Sequence, residues 1–359
     1  MSARSSDHAD HADELSRVGG DPDLTARWWH ALAPKARRQL LDEQPARLGG
    51  TDGVPAAVRD RANRQTLADR RGDLEAVEAR GELSTVEACE LANVRTIADN
   101  LELHRATIDP HTGRPTVVEL YVFDPAAFGG DGRAAIAIGG LDSADHLAVD
   151  VPGFSSSVAG MVPGAADRLY VEARWAAGRD ESVAVVDWMG YDSPNHGPGD
   201  LELDDDGRTT EDKLIELFER MCDGAGVLSP AKALAGAELL ARDVAGLVAM
   251  HGDHDIHLTV VGSSYGSTTT AIAAADHHLA ADDVVLVGSP GAGTAERAAD
   301  LTTGRRHTWV ASASSDLVTW LGDNGGWNPF DGVTGSPLGI DPADQAFGGQ
   351  RMRAESLDR

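Results

Sequence analysis

Lysine is almost missing from this 359-residue chain: Lys35, Lys213 and Lys232 are the only three, so arginine carries nearly all the positive charge. Against 31 basic side chains stand 58 acidic ones, a formal net charge of −27. Nucleic acid and anionic membranes are bound through cationic patches that release counterions, so neither is an expected partner. The preference for Arg over Lys fits a GC-rich coding bias, and the acidic surplus fits a solvation device for high salt. Cysteine is equally scarce. Cys89 and Cys222 stand alone, with no C-x-x-C spacing for zinc or redox chemistry and too few thiols for a disulfide framework. Both read as core thiols, and neither cofactor nor metal is expected. Long apolar runs are missing too: nothing approaches the roughly 20 residues of a membrane span. The opening MSARSSDHADHADELS has no apolar stretch behind its early arginine, so no secretory signal is read. The expectation is a soluble, cytoplasmic protein.

What is present is a globular composition, 42% hydrophobic and 25% charged, in a chain long enough for a large core. Residues 1–20 are polar and aperiodic and read as a disordered leader. A helical region is expected over 21–113. Asp23-Leu24-Thr25 reads as a capping segment, Pro55 suits a first helical turn, and Ser84 with Glu87 forms the pattern of a capping box. The period then changes. Short apolar runs at 116–123, 134–138, 147–151, 183–188, 256–261, 284–287 and 308–311 read as strands. Helices are expected at about 157–177, 231–250, 265–276 and 293–301. Such alternation marks an α/β domain with a mostly parallel sheet, here 114–359. The segment 193–230, with its acidic Asp204-Asp205-Asp206, breaks the rhythm and reads as an insertion, either a solvated loop or a lid.

The chemistry concentrates at Gly262-Ser263-Ser264-Tyr265-Gly266. A bare G-x-S-x-G is weak evidence in a chain with 40 glycines. Here it follows a buried-strand pattern and precedes a helix-compatible run, the setting of a nucleophile elbow. The glycines leave room at the sharp turn, and the helix N-terminus aims free amides at the serine. The amide of Tyr265 can then donate to an oxyanion. A phosphate cradle is the competing reading, but the segment lacks both the lysine of a Walker loop and the third glycine of a dinucleotide fingerprint. After the strand at 147–151 comes Pro152-Gly153-Phe154-Ser155, a small turn from which Phe154 or Ser155 can supply a second oxyanion amide. Asp316, after the strand at 308–311, is the candidate acid. It reads otherwise as a turn or cap residue.

The histidine is the gap. In this fold the order is nucleophile, acid, histidine, and no histidine follows His307. His307 begins the strand that leads to Asp316, which puts it on the wrong edge, and His196 is the one internal alternative.

Several landmarks together resemble the actinobacterial α/β hydrolases first catalogued as a domain of unknown function. They are Trp28-Trp29-x-x-Leu32, Gly53-Val54-Pro55-x-x-x-Arg59-Asp60-x-Ala62-Asn63, Val151-Pro152-Gly153, Trp188-Met189-Gly190-Tyr191-Asp192-Ser193-Pro194, the serine motif, Val287-Gly288-Ser289-Pro290-Gly291, Asp316 and Phe347-Gly348-Gly349. The resemblance covers most of the chain. It implies an α/β-hydrolase fold with nucleophile Ser264 and acid Asp316 but no settled substrate; the serine and its oxyanion donors point to a small ester or other acyl substrate. It also implies a histidine after the Phe347-Gly348-Gly349 segment, which this sequence does not contain, so the hydrolase domain reads as short at its C-terminus and its activity as impaired. The alternative is a hydrolase-like fold that only binds a ligand or partner. Oligomeric state is not readable.

Overall fold

The computed structural model describes residues 3–194, 229–312 and 338–352. By internal contacts the chain forms two units. The first holds Met1–Val149, Val158–Gly190 and Arg242–His257; the second holds Asp150–Ser157, Tyr191–Ala241 and Leu258–Arg359.

The first unit opens with helices α1 (Ala3–Val18), α2 (Pro22–Ala31), α3 (Pro34–Glu43), α4 (Pro45–Gly49), α5 (Ala56–Ala79) and α6 (Thr85–His104). The region expected as a disordered leader is therefore helical. Leu15 is buried with Trp29, Leu40, Leu41, Leu48, Val54 and Ala62. Trp28 Nε1 adds a hydrogen bond to Glu14 Oε2 at 3.1 Å. The cap of α2 is Asp21 rather than Asp23, its carboxylate accepting from the Leu24 amide at 2.9 Å. The Ser84–Glu87 capping box forms in both directions at the start of α6.

Strands β1 (Val118–Asp124), β2 (Arg133–Ile138), β3 (His146–Val151) and β4 (Val183–Met189) follow, ordered β1-β2-β4-β3. The link from β1 to β2 is too short for a crossover helix, so the two pair antiparallel. β2 and β4 also pair antiparallel. Helix α7 (Ala165–Ala177) packs Ala166 and Tyr170 against Ile138, Val183 and Val185. It starts eight residues later than the pattern suggests, after Pro163-Gly164.

The segment Arg59–Asn63 explains why the helices are there. Edge strand β1 has a register shift at Leu120/Val122, which leaves backbone groups without ladder partners. Asp60 Oδ1 accepts from the Leu120 amide at 2.7 Å. Asn63 Nδ2 reaches the Leu120 and Tyr121 carbonyls at 2.9 and 3.2 Å. Buried Arg59 lies 3.8 Å over the Tyr121 ring and pairs with Asp52 at 2.8 Å. In the same unit Asp243 accepts from Trp188 Nε1 at 2.8 Å and from Arg133.

The second unit carries β5 (His257–Ser263), β6 (Asp283–Val287), β7 (Thr308–Ala311) and β8 (Gln350–Met352), paired in that order and all parallel. The strand pattern alternates as a sheet with helical cover requires: Leu258, Val260 and Gly262 are buried, as are Val284 and Leu286. Helix α8 (Ala231–His251) precedes β5 and α9 (Tyr265–Asp276) follows it. The helix expected at 293–301 is only a 3-10 turn at Ala298–Asp300, and the three-residue, exposed β8 has no sequence signal of its own. The architecture is a mostly parallel sheet flanked by helices with a helical N-terminal region. Among the described residues no helix is long and apolar enough to cross a membrane. Most of the insertion 193–230, with His196, and the candidate acid Asp316 lie outside the described residues.

Candidate functional site

Ser264 stands between β5 and α9, as the N-cap of the helix, at φ 51° and ψ −127°. A serine is uncommon in that left-handed region, and holding one there costs roughly 1–3 kcal/mol, which the surroundings must offset. They do so on both sides. The Ser264 amide donates to the Val287 carbonyl at 2.8 Å, and its carbonyl accepts from the Ser267 amide at 2.9 Å and the Ser267 hydroxyl. The residue is half-buried, and among the described residues its hydroxyl has no hydrogen-bond partner.

Glycines admit this bend because backbone crowds it. A Cβ on Gly266 would lie 2.4 Å from the carbonyl oxygens of both Val151 and Pro152. One on Gly153 would lie 2.7 Å from Ser264 Cβ and 2.8 Å from the Ser263 carbonyl. The loop after β3 therefore touches the serine turn directly, and only a residue without a side chain permits it.

The Tyr265 side chain is fully buried and structural. Its hydroxyl donates to the Ser229 carbonyl at 2.6 Å and accepts from the Ala233 amide at 3.1 Å, tying the first turn of α8 to that of α9. Burial pushes its phenol up to about 12. Its backbone amide belongs to the first turn of α9, where amides lack intrahelical acceptors and the helix dipole favours negative charge. Phe154 and Ser155 lie in the loop beside Ser264. Ser155 has φ 62° and its amide donates to the Pro194 carbonyl at 2.8 Å.

Histidine placement agrees with the sequence argument. His307 precedes β7, which runs parallel to β6, so it sits at the strands' N-terminal edge and contacts Asp283 at 3.1 Å. His277 caps the far end of α9, about 18 Å along a 12-residue helix from its start, and His278 follows it. None of these histidines of the second unit is at the Ser264 end. Among the described residues no group of three or more His, Cys, Asp or Glu side chains could hold a metal.

Two features escaped the sequence reading. Tyr191 and Ser193 contact the loop after β3: the Tyr191 hydroxyl donates to the Pro152 carbonyl at 2.8 Å and the Ser193 hydroxyl to the Gly153 carbonyl at 2.7 Å. The Tyr-Asp-Ser-Pro string was the available signal, but nothing in it names its partner. Asp150 on β3 is the second, a carboxyl pushed up to about 6 by burial.

The chain matches the alpha/beta hydrolase family over residues 124–323. It is 34% identical over 360 residues to "uncharacterized protein Rv2079" of Mycobacterium tuberculosis, covering 92% of this chain and 50% of that protein. It is 31% identical over 212 residues to "uncharacterized protein Mb0988c" of Mycobacterium bovis, covering 56% of this chain and 64% of that one. The chain thus spans about half to two thirds of the length of these curated relatives. Among solved structures, a carboxyl esterase from Bacillus coagulans aligns with 49% of this chain and 44% of its own, at 16% identity and a TM-score of 0.25. Thermogutta terrifontis esterase 2 aligns with 56% and 72%, at 12% identity and a TM-score of 0.28. Scores this low carry no argument about activity.

Proposed function

The chain belongs to the alpha/beta hydrolase family, and from that premise we propose that it is a serine hydrolase that cleaves small esters or related acyl compounds. The observation that carries this reading is the backbone of Ser264, held at φ 51° between a buried strand and a helix start. Strain at a hydroxyl-bearing residue on a strand-to-helix turn, supported from both sides, is what a presented nucleophile requires.

In this reading Ser264 Oγ attacks the substrate carbonyl. The amides of Tyr265 and Phe154 receive the developing oxyanion in place of water, and the N-terminus of α9 adds its positive end. Asp316 is the acid that orients the general base. The base itself is none of His277, His278 and His307. A serine without its base retains oxyanion binding and loses proton transfer, a loss on the order of 10³-fold or more.

A second reading is a hydrolase fold that binds an acyl-type ligand without turning it over. A fluorophosphonate probe separates the two. Labelling of the intact protein that disappears in Ser264→Ala is the expected result, with p-nitrophenyl ester hydrolysis lost in parallel. Folded protein that takes up no probe overturns the enzyme and leaves the binder.

A further inference from the structure

Helix α8 ends on His251, a half-buried residue whose two ring nitrogens both face carbonyl oxygens. Nδ1 lies 2.7 Å from the Leu247 carbonyl, one turn back in the same helix, and Nε2 lies 2.8 Å from the Leu141 carbonyl, in the turn between β2 and β3. A carbonyl oxygen only accepts, so each contact is a hydrogen bond when its nitrogen carries a proton, and a neutral imidazole carries one proton, not two. The geometry calls for the doubly protonated ring. Its position suits a cation, because the C-terminal end of a helix is the negative end of the dipole.

The partner turn is a junction. Leu141 is fully buried, and its amide donates to Glu119 Oε2 on β1 at 2.9 Å. The Asp142 carboxylate accepts from the Ala56 and Ala57 amides at the start of α5, at 2.7 and 3.0 Å. The Ser143 carbonyl accepts from the Ser182 hydroxyl, just before β4, at 2.7 Å. His251 adds the end of α8 to this set. The charged and titratable groups around the junction are Glu119 on β1, Asp60 and Arg64 on α5, Asp142 and Asp145 on the turn and its exit, and Asp253, His254 and Asp255 in the loop after α8. The His254 ring stacks 6.1 Å from that of His251, and its Nε2 lies 3.6 Å from Asp145 Oδ1. Carboxylates here favour a cation at His251, and a charged His254 opposes it.

We propose that His251 is a proton-dependent clasp, which ties the end of α8 to the turn Leu141–Ser143 while its ring holds both protons and lets one of the two carbonyls go when it loses one. A nitrogen lone pair set against a carbonyl oxygen at these distances is repulsive, so the neutral ring must turn or withdraw. The last turn of α8 then loses a tie to the rest of its unit. Its amides open more often to solvent.

NMR of the imidazole nitrogens and amide hydrogen exchange, both on the intact protein from about pH 5 to 8 where histidine titrates, test the clasp. The His251 ring signals are assigned by their loss in His251→Gln, or by through-space contacts to Leu141 where that variant fails to fold. At the acid end they are expected to show two protonated nitrogens whose protons are protected from exchange. As the ring loses a proton, exchange at the Met250, His251 and Gly252 amides, corrected for the intrinsic effect of pH, should accelerate about tenfold in step with it. His251→Gln should show no such step. Glu119→Gln removes a carboxyl of the same junction that titrates in this range, and it should keep the step. A step that vanishes in Glu119→Gln and survives in His251→Gln makes the carboxyl the switch and overturns the proposal. So does a ring that stays in one neutral tautomer throughout, or one that titrates with no change in amide exchange.

Discussion

Asp150 sits on β3 with no hydrogen-bond or ion-pair partner among the described residues, and burial alone raises its carboxyl to about 6 from an ordinary 3.8. A carboxyl whose folded pKa is raised favours the folded state while protonated. Its contribution is fully present below about pH 4 and is lost as pH rises through about 6. Two pKa units correspond to about 3 kcal/mol, and because the side chain is only half-buried the net cost of ionising it is about 1–2 kcal/mol. Asp150→Asn should therefore stabilise the protein at pH 8 by that amount and leave it unchanged at pH 4. Urea denaturation at the two pH values measures this, and an equal effect at both would mean that packing, not charge, is responsible. The sequence did not disclose this residue, because Asp at an alternate position of a strand reads as solvent-facing. Ser264 was legible for the opposite reason. Strand, glycines and helix are contiguous from 257 to 276, so the whole bend is encoded locally.

At the scale of elements, the N-terminal helices cover edge strand β1. Asn63 on α5 satisfies the Leu120 and Tyr121 carbonyls at the register shift, and no ladder partner can replace it there. Asn63→Ala should cost about 1–3 kcal/mol, the desolvation penalty of buried acceptors left unmade. Ser84→Ala, at the exposed capping box of α6, should cost about 1 kcal/mol. Chemical denaturation of both variants checks the ranking, and a smaller loss for Asn63→Ala would show that the shifted strand relaxes without help. Helix periodicity and the capping box were readable because their partners lie within four residues. The Arg59–Asn63 segment was recognisable as a landmark but not interpretable, since its partners stand nearly 60 positions further on. The contacts of Tyr191 and Ser193 with the loop after β3 were hidden in the same way, since their partners stand about 40 positions earlier. Helix α1 was missed because its sequence is polar and aperiodic.

Across the whole molecule the charge of −27 sets how stability responds to solvent. Two opposing groups of carboxyls define the pH window. Burial raises Glu119 to about 7, against the lowering effect of the Leu141 amide, so Glu119, like Asp150, costs stability as pH climbs from about 4 to 7. Burial also opposes ionisation at Asp109, but the amides of Thr112 and His111 and the Arg174 guanidinium hold it down at about 2. Its contribution is present above about pH 4 and disappears as pH falls toward 2. Together they place maximum stability near pH 4, below neutrality. Self-repulsion acts in the same direction, because every carboxylate ionised above that pH adds to an excess that already repels. Sodium chloride shortens the Debye length from about 14 Å at 0.05 M to about 4 Å at 0.5 M. The melting temperature should therefore rise with salt at pH 8 by a few degrees, on the order of 1–2 kcal/mol, and by much less at pH 5. A thermal-melt grid in pH and sodium chloride tests this. A salt-independent melt at pH 8 would mean that the acidic surplus is spread too thinly to strain the fold, which favours coding bias over salt adaptation as its origin.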